Sequence, residues 1–257
     1  MNRFSNLEFE DDFQGITEEV SQKRDEAFFL NEARRGWEHG KFEYVLRAYA
    51  KALEFNPSNS SSWAGQVRAL IELNELREAK IWADKALEKF PNDSELLAGK
   101  AVTLARLGDY EAALAFADAA MEIQGNSPII WLSRGDVLMS KKEKFADYSI
   151  DKAVYFAYSD WFIYWMASRI YYYYQQFSKA FKYAKKSIEL NPEIPVCWHQ
   201  IGLCQIEMGM AEQARQSCMH ALELSPGNSA FKSSLNKLNN KGFISRFLRR
   251  LRSIINP

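Results

Sequence analysis

The sequence has few cysteines, no long apolar run and no catalytic motif. Its three cysteines are Cys197, Cys204 and Cys218, and an odd number of scattered cysteines is typical of a reducing compartment. Cys197 and Cys204 would lie about 10.5 Å apart along a helix, too far for a disulfide. A secretory signal and a stretch of 18 apolar residues are both missing. We therefore expect a cytoplasmic protein, either free or peripheral at a membrane.

The sequence also has no net charge, which favours neither nucleic acid nor membrane as a partner. The two ends nevertheless differ. Residues 1–20 contain six acidic residues and one basic residue, whereas residues 237–257 contain six basic residues and no acidic one. Charged tails of this kind often bind a partner.

One phrase returns along the chain, as KALEFNPSNSSSW at 51–63, KALEKFPNDSELL at 85–97, KSIELNPEIPVCW at 186–198 and HALELSPGNSAF at 220–231. Two series of small residues recur with it, in steps of 34, 34, 33, 34 and 34 residues. The first series is Val45, Ala79, Ala113, Ala146, Ala180 and Ala214. The second is Ala52, Ala86, Ala120, Ala153, Ser187 and Ala221. A fixed period of this length indicates a solenoid of similar units.

Each unit has the pattern of two helices joined by a turn. Apolar residues recur three and four apart, as at Leu76, Ala79 and Ala83, which predicts a helix. A turn such as LGDY at 107–110 follows, and prolines end the second helix in four of the units. Small residues are expected where the two helices pack closest. One hairpin cannot bury its apolar face alone, so the units must stack.

This pattern resembles the tetratricopeptide repeat over about residues 24–228. The second repeat matches the family consensus at Trp63, Leu76, Ala79, Ala86 and Pro91. The sixth matches it at Trp198, Gly202, Ala214, Ala221 and Pro226. The fourth repeat is one residue short near 140–145, which predicts a tightened or irregular turn between its helices.

The resemblance implies an all-α, right-handed superhelical solenoid of helix-turn-helix repeats. The six repeats are expected at about 24–57, 60–91, 94–125, 128–158, 161–192 and 195–226. An acidic, disordered segment is expected at 1–23. A capping helix is expected at 229–241, and a basic amphipathic helix at 242–257.

A metal site is conceivable where His199 and His220 share a repeat with the cysteines. However, Cys218 occupies a core position of the repeat, and free cysteine is commonly buried. We therefore expect no metal, no cofactor and no catalytic residue.

The resemblance also implies that the first helix of each repeat lines a concave surface. The residues expected to bind a peptide there are Arg34, Arg68, Phe162, Trp165, Arg169, Tyr172, Tyr173 and His199. Arg34 and Arg68 could instead be solvated or paired with Glu38 and Glu72, one turn away. Binding of heat-shock protein tails is disfavoured, because Leu30, Arg34 and Gly65 replace the expected lysine and asparagines.

The helix at 161–174, WFIYWMASRIYYYY, contains eight aromatic residues. They could be core residues between repeats. Alternatively, Trp165, Arg169 and Tyr173 could form an exposed cation–π patch for an acidic, aromatic peptide. The chain contains such a peptide, LEFEDDF at 7–13, which could bind in the groove of its own or a neighbouring copy.

The basic C-terminal helix could bind a partner, an anionic membrane surface or the array itself. Its expected contact residues are Phe243, Arg246, Phe247, Arg249, Arg250, Leu251 and Arg252. Overall, the sequence predicts a non-enzymatic scaffold that binds a protein segment in its concave face. The alternatives are a peripheral membrane organiser and, more weakly, an RNA-binding repeat protein, although nucleic acid is not the expected partner.

Overall fold

The computed structural model describes residues 24–238, which contain helices and turns and no strand. The first compact unit, Met1–Tyr158, contains eight of the described helices. They are α1 (Glu26–Glu38), α2 (Phe42–Phe55), α3 (Ser60–Glu72), α4 (Leu76–Lys89), α5 (Ser94–Leu107), α6 (Tyr110–Gln124), α7 (Pro128–Ser140) and α8 (Ala146–Phe156).

The second unit, Ser159–Pro257, contains four more pairwise-packed helices. They are α9 (Trp161–Tyr173), α10 (Phe177–Leu190), α11 (Pro195–Glu207) and α12 (Ala211–Leu224). Residues 229–238 form a further helix, which buries Phe231 and Leu238. The predicted all-α fold of helical hairpins is confirmed for the described residues. Residues 1–23, the end of the expected capping helix and residues 242–257 lie outside them.

The odd-numbered helices begin with a capping side chain or a proline. The side chains of Asp25, Asn59 and Asp93 accept a hydrogen bond from the backbone N–H three residues later, at 3.0–3.1 Å. Asp160 caps α9 in a similar way, through Phe162 N. α7 and α11 start with a proline at the first helical position instead. Both devices satisfy or remove a backbone donor that has no partner inside the helix.

The turn inside each repeat has the same backbone conformation in all six. One residue per repeat has a positive φ, and these residues are Gly40, Asn74, Gly108, Lys142, Gln175 and Gly209. The next residue donates its N–H to the carbonyl five positions back, as Gln176 does to Tyr171 at 2.9 Å. This is the Schellman arrangement, which closes a helix and turns the chain. Three repeats therefore place a non-glycine residue in the left-handed region.

The fourth repeat keeps this turn, contrary to the expectation of an irregular one. Lys142 has the positive φ, and Glu143 N donates to Leu138 O at 3.0 Å. The fourth repeat is one residue shorter than the others in the segment between this turn and Ala146. α8 begins at Ala146 itself, whereas the other even-numbered helices begin three residues before their member of the first small-residue series. The deletion therefore shortens α8 at its start and leaves the Schellman turn intact.

Both series of small residues lie in the core. Every member is at most 5% exposed, and most are completely buried. The facing helix is equally constrained, because a Cβ atom added to Gly135 would lie 2.7 Å from the Ile150 side chain. At Gly202 it would lie 2.5 Å from Cys218 Sγ. The two helices of a hairpin therefore pack at a distance that only small side chains allow.

Hydrogen bonds from three tryptophans link consecutive repeats. Trp63, Trp131 and Trp198 each donate the indole N–H to the backbone carbonyl six residues earlier, at 2.7–3.1 Å. That carbonyl lies just after the preceding even-numbered helix. The hydrogen bond fixes the direction in which the chain enters the next odd-numbered helix.

A buried ion pair joins α5 to α7. The Arg106 guanidinium contacts Asp136 through two nitrogens, at 2.6 and 3.3 Å, and the side chains are 6% and 2% exposed. Buried charges are costly unless they are paired in good geometry, as these are. The contact therefore fixes how two adjacent odd-numbered helices pack.

Replacing a strained turn residue by glycine should stabilise the protein. Gln175→Gly or Lys142→Gly should raise the free energy of unfolding in urea by roughly 0.5–1 kcal/mol, because glycine adopts positive φ without steric cost. Gly108→Ala is the matched control. No atom lies within 4 Å of its added Cβ, so any loss comes from the backbone alone. Stability that falls in the glycine variants would contradict this account.

Breaking the buried ion pair should destabilise the first unit. Arg106→Met leaves the Asp136 carboxylate buried without its partner and should cost about 3–5 kcal/mol in urea unfolding. The double variant Arg106→Met, Asp136→Leu should recover most of that loss. Equal losses in the single and double variants would show that packing, and not charge burial, explains the effect.

Candidate functional site

Within each unit, adjacent odd-numbered helices pack side by side, as α3 with α5, α5 with α7, and α9 with α11. We call the surface that they form the inner face. All the predicted peptide-binding residues belong to these helices. In the first unit they are Arg34 and Arg68. In the second unit they are the residues of α9 together with His199 of α11.

The two arginines of the first unit are engaged by carboxylates. Arg34 Nε lies 3.3 Å from Glu38 Oε1, which is the pairing that the sequence suggested. For Arg68 the sequence left open a pairing with Glu72, but its Nη2 lies 3.0 Å from Glu95 Oε2 on α5. This inner face is therefore largely neutralised by its own acids.

The aromatic residues of α9 are less exposed than a surface patch would require. Trp165 is only 1% exposed, and its ring stacks against Phe162 with 5.5 Å between centroids. The expectation that Trp165 forms an exposed patch is therefore wrong. Phe162 and Tyr172 are half-buried, and Tyr173 is exposed. Tyr171 is also in the core, where it stacks on Tyr183 at 5.2 Å.

Arg169 is the basic residue of α9. Its guanidinium carbon is 6.0 Å from the Trp165 ring centroid, so the predicted contact between the two is present. Its Nη1 donates to Gln200 Oε1 on α11 at 3.4 Å. The side chain is half-buried. The ring below and the amide beside it hold the guanidinium in a fixed position.

Tyr172 forms a second link between α9 and α11. Its hydroxyl donates to Glu207 Oε1 at 3.4 Å. Burial, and then the Glu207 carboxylate, raise the pKa of Tyr172 to about 12. The phenol therefore stays protonated at neutral pH and acts as a hydrogen-bond donor.

His199 is a neutral, fixed residue of the same inner face. Its Nε2 lies 2.9 Å from Ser234 Oγ, and its ring lies 4.4 Å from that of Phe231 in the helix at 229–238. Burial, and then the Arg169 cation, lower the pKa of His199 to about 3. His199 therefore contributes an uncharged imidazole to this surface.

The cysteines show no sign of a metal site. Cys197, Cys204 and Cys218 are completely buried, and burial raises their pKa values to about 12, 12 and 11. Cys218 packs against Gly202, as its core position predicts. His220 Nδ1 lies 3.1 Å from Glu223. Within residues 24–238, no group of three potential ligands could hold a metal ion.

The structure also reveals an exposed surface that the sequence did not suggest. Tyr148 and Tyr155 on α8 are 52% and 71% exposed, and Lys152 Nζ lies 5.6 Å from each ring. Five other repeats carry glutamate at the position of Tyr155, namely Glu54, Glu88, Glu122, Glu189 and Glu223. An alignment of the six repeats at this position would have identified Tyr155 as the residue that differs.

The predicted contact residues of the C-terminal helix and the acidic segment at 7–13 lie outside the described residues. No helix described between residues 24 and 238 is both long enough and apolar enough to cross a bilayer.

The tetratricopeptide repeat model matches residues 7–159, and a second model of the same repeat matches residues 196–228. A search of curated protein sequences found no significant match.

Two solved structures show the same fold at low sequence identity, and a third is similar with a lower TM-score. A tetratricopeptide repeat protein from Parabacteroides merdae is 18% identical with a TM-score of 0.53, and 86% of each chain is covered. The human IFIT1 dimer with m7Gppp-AAAA is 17% identical with a TM-score of 0.53, over 89% of this chain and 59% of that chain. YrrB, described as having an unusual peptide-binding site, is 18% identical with a TM-score of 0.42, over 74% of this chain and 98% of that one.

The family model covers more than half of the chain, and its 34-residue period, its repeated turns and its buried small-residue series are all present. The chain therefore belongs to the tetratricopeptide repeat family, whose arrays act as protein-interaction scaffolds.

Proposed function

We propose that this protein is a non-enzymatic scaffold whose second unit binds an acidic segment of a protein partner, with aromatic side chains, on the inner face of α9 and α11. The position of Arg169 carries the proposal. The Trp165 ring and the Gln200 amide hold the guanidinium on the surface, and Phe162 and Tyr172 lie half-buried nearby. A carboxylate of the ligand would accept hydrogen bonds from Arg169, and its aromatic side chains would contact Phe162, Tyr172 and Tyr173.

The two units contribute differently to this function. Arg68 and Arg106 of the first unit face Glu95 and Asp136, so their charges are already compensated. α9 contains no acidic residue between Trp161 and Tyr173, and the one acidic residue of α11, Glu207, accepts a hydrogen bond from the Tyr172 hydroxyl. We place the acidic ligand on the second unit, with Arg169 as its anchor, because α9 also presents the half-buried rings of Phe162 and Tyr172 there.

The chain's own LEFEDDF segment at 7–13 has the chemistry that this surface would bind. It alternates acids with Leu7, Phe9 and Phe13, and it could occupy the surface in its own or a neighbouring copy. In that state it would compete with the partner. A cytoplasmic location belongs to the same proposal, because all three cysteines are free thiols.

The RNA-binding alternative has less support. An RNA-binding surface needs basic side chains that face phosphates. Arg34, Arg68 and Arg106 instead face carboxylates, and the likeness to the human IFIT1 dimer shows the fold alone.

Charge reversal at Arg169 should weaken peptide binding. A fluorescent peptide of residues 1–20 should bind the full chain, and Arg169→Glu should raise its Kd at least tenfold, since buried charge contacts of this kind are worth about 2–5 kcal/mol. Arg34→Glu is the matched control, because Arg34 occupies the same register position and is already paired with Glu38. It should change the Kd less than twofold. Equal effects of the two variants, in fluorescence anisotropy, would refute the site.

Binding of the same peptide should depend little on pH between 5.5 and 7.5. The pKa of His199 is lowered to about 3, so the imidazole stays uncharged over this range. The peptide carboxylates, with pKa values of about 4, stay ionised. The Kd should therefore change less than about threefold. A marked tightening at pH 5.5 that disappears in His199→Asn would show that His199 becomes charged in the site.

A further inference from the structure

The zero net charge of the chain conceals two units of opposite charge. Residues 1–158 contain 20 basic and 27 acidic residues, a net charge of −7. Residues 159–257 contain 13 basic and 6 acidic residues, a net charge of +7. A unit with such an excess attracts anions over about one Debye length, roughly 10 Å at 0.1 M salt.

The described part of this positive charge is concentrated on the solvent face of α10. Its exposed residues are Ser178, Lys179, Lys182, Lys185, Lys186 and Glu189. Glu189 is the only acidic residue of the helix, and it lies 3.1 Å from Lys186 Nζ at the C-terminal end. The exposed side of α10 is therefore basic over about two turns, with no exposed apolar side chain.

The equivalent faces of the first unit are neutralised. Asp84 on α4 pairs with Lys80 at 2.8 Å and with Lys100 of the next repeat at 2.7 Å. Asp118 on α6 pairs with Arg134 of the next repeat. In α10 the register position of these two aspartates is occupied by Lys185. The same position thus changes from a carboxylate that joins repeats to an exposed ammonium.

Two further features add to the positive potential. α10 has no side-chain cap and no acidic residue in its first turn, so the positive end of its dipole is not offset locally. The ammonium groups of Lys179 and Lys182 lie 5.4 and 5.5 Å from the rings of Tyr171 and Tyr183, which position their side chains. The lysines therefore form a basic patch on the solvent face of α10.

We propose that the solvent face of α10 binds the headgroups of an anionic phospholipid bilayer. The exposed surface of one helix with several lysines suits an extended anionic surface better than a single small ligand, which needs a concave pocket. Lysine is a compact, hydrated charge that contacts phosphate without requiring a fixed orientation.

The test is sedimentation of the full chain with vesicles of phosphatidylcholine containing 30 mol% phosphatidylserine, at low salt. Each lysine near an anionic surface contributes about fivefold to binding, so Lys182→Gln, Lys185→Gln should lower the partition coefficient about 25-fold. The control is Lys51→Gln, Lys80→Gln, on the solvent faces of α2 and α4, where both lysines are paired with acids. It should change partitioning less than twofold. Thermal unfolding followed by circular dichroism checks that both variants fold.

Several results would overturn the proposal. These are equal partitioning of the wild type and the α10 variant, equal binding to phosphatidylcholine alone, or no binding to the anionic vesicles at low salt.

Loss of binding only in Arg249→Gln, Arg250→Gln would assign the membrane contact to the C-terminal segment instead. Loss of self-association in the α10 variant, with unchanged vesicle binding, would assign the lysines to an acidic protein segment. Binding of the 1–20 peptide should be unchanged in the α10 variant, which separates this test from that of the inner face.

Discussion

The close approach of the two helices in each hairpin is the constraint on which the structure depends. It requires a small residue at fixed positions, and the chain supplies one every 33 or 34 residues, from Val45 to Ala214. A larger side chain there would separate the helix axes. The left-handed turn and the tryptophan N–H contacts then fix how one helix leads to the next. Every assignment of a residue to the inner or the solvent face follows from this register.

The left-handed turn and the buried positions of the small residues recur in each repeat. Positions at which one repeat carries a different side chain are therefore the candidates for a specific role. At one solvent-facing position Asp84 and Asp118 join consecutive repeats, whereas Lys185 leaves a positive charge. At another, five glutamates contrast with Tyr155. On the inner face, Arg34 and Arg68 contact acids, and Arg169 at the same register position contacts the Trp165 ring and the Gln200 amide. The proposed functions therefore rest mainly on residues at which one repeat differs from the others.

The sequence predicted the fold well, because periodicity, prolines and small residues act through local and repeated contacts. It was less reliable for the site. Trp165 was expected on the surface, but helical spacing does not show which side of an aromatic helix a neighbour covers. Pairing of Arg68 with Glu72 of its own helix was one alternative, but Arg68 contacts Glu95 of the next repeat. The left-handed turn at Lys142 and Gln175 was not foreseen, because neither residue favours positive φ.

The most direct test is to enlarge the small residues one at a time. Ala79→Leu, Ala113→Leu and Ala180→Leu each place a larger side chain at a completely buried position, and overpacking of this kind costs about 1–3 kcal/mol. Ala115→Leu, on the exposed face of α6, should change the free energy of unfolding in urea by less than about 0.5 kcal/mol. Similar losses at all four positions, or none at the first three, would contradict the register.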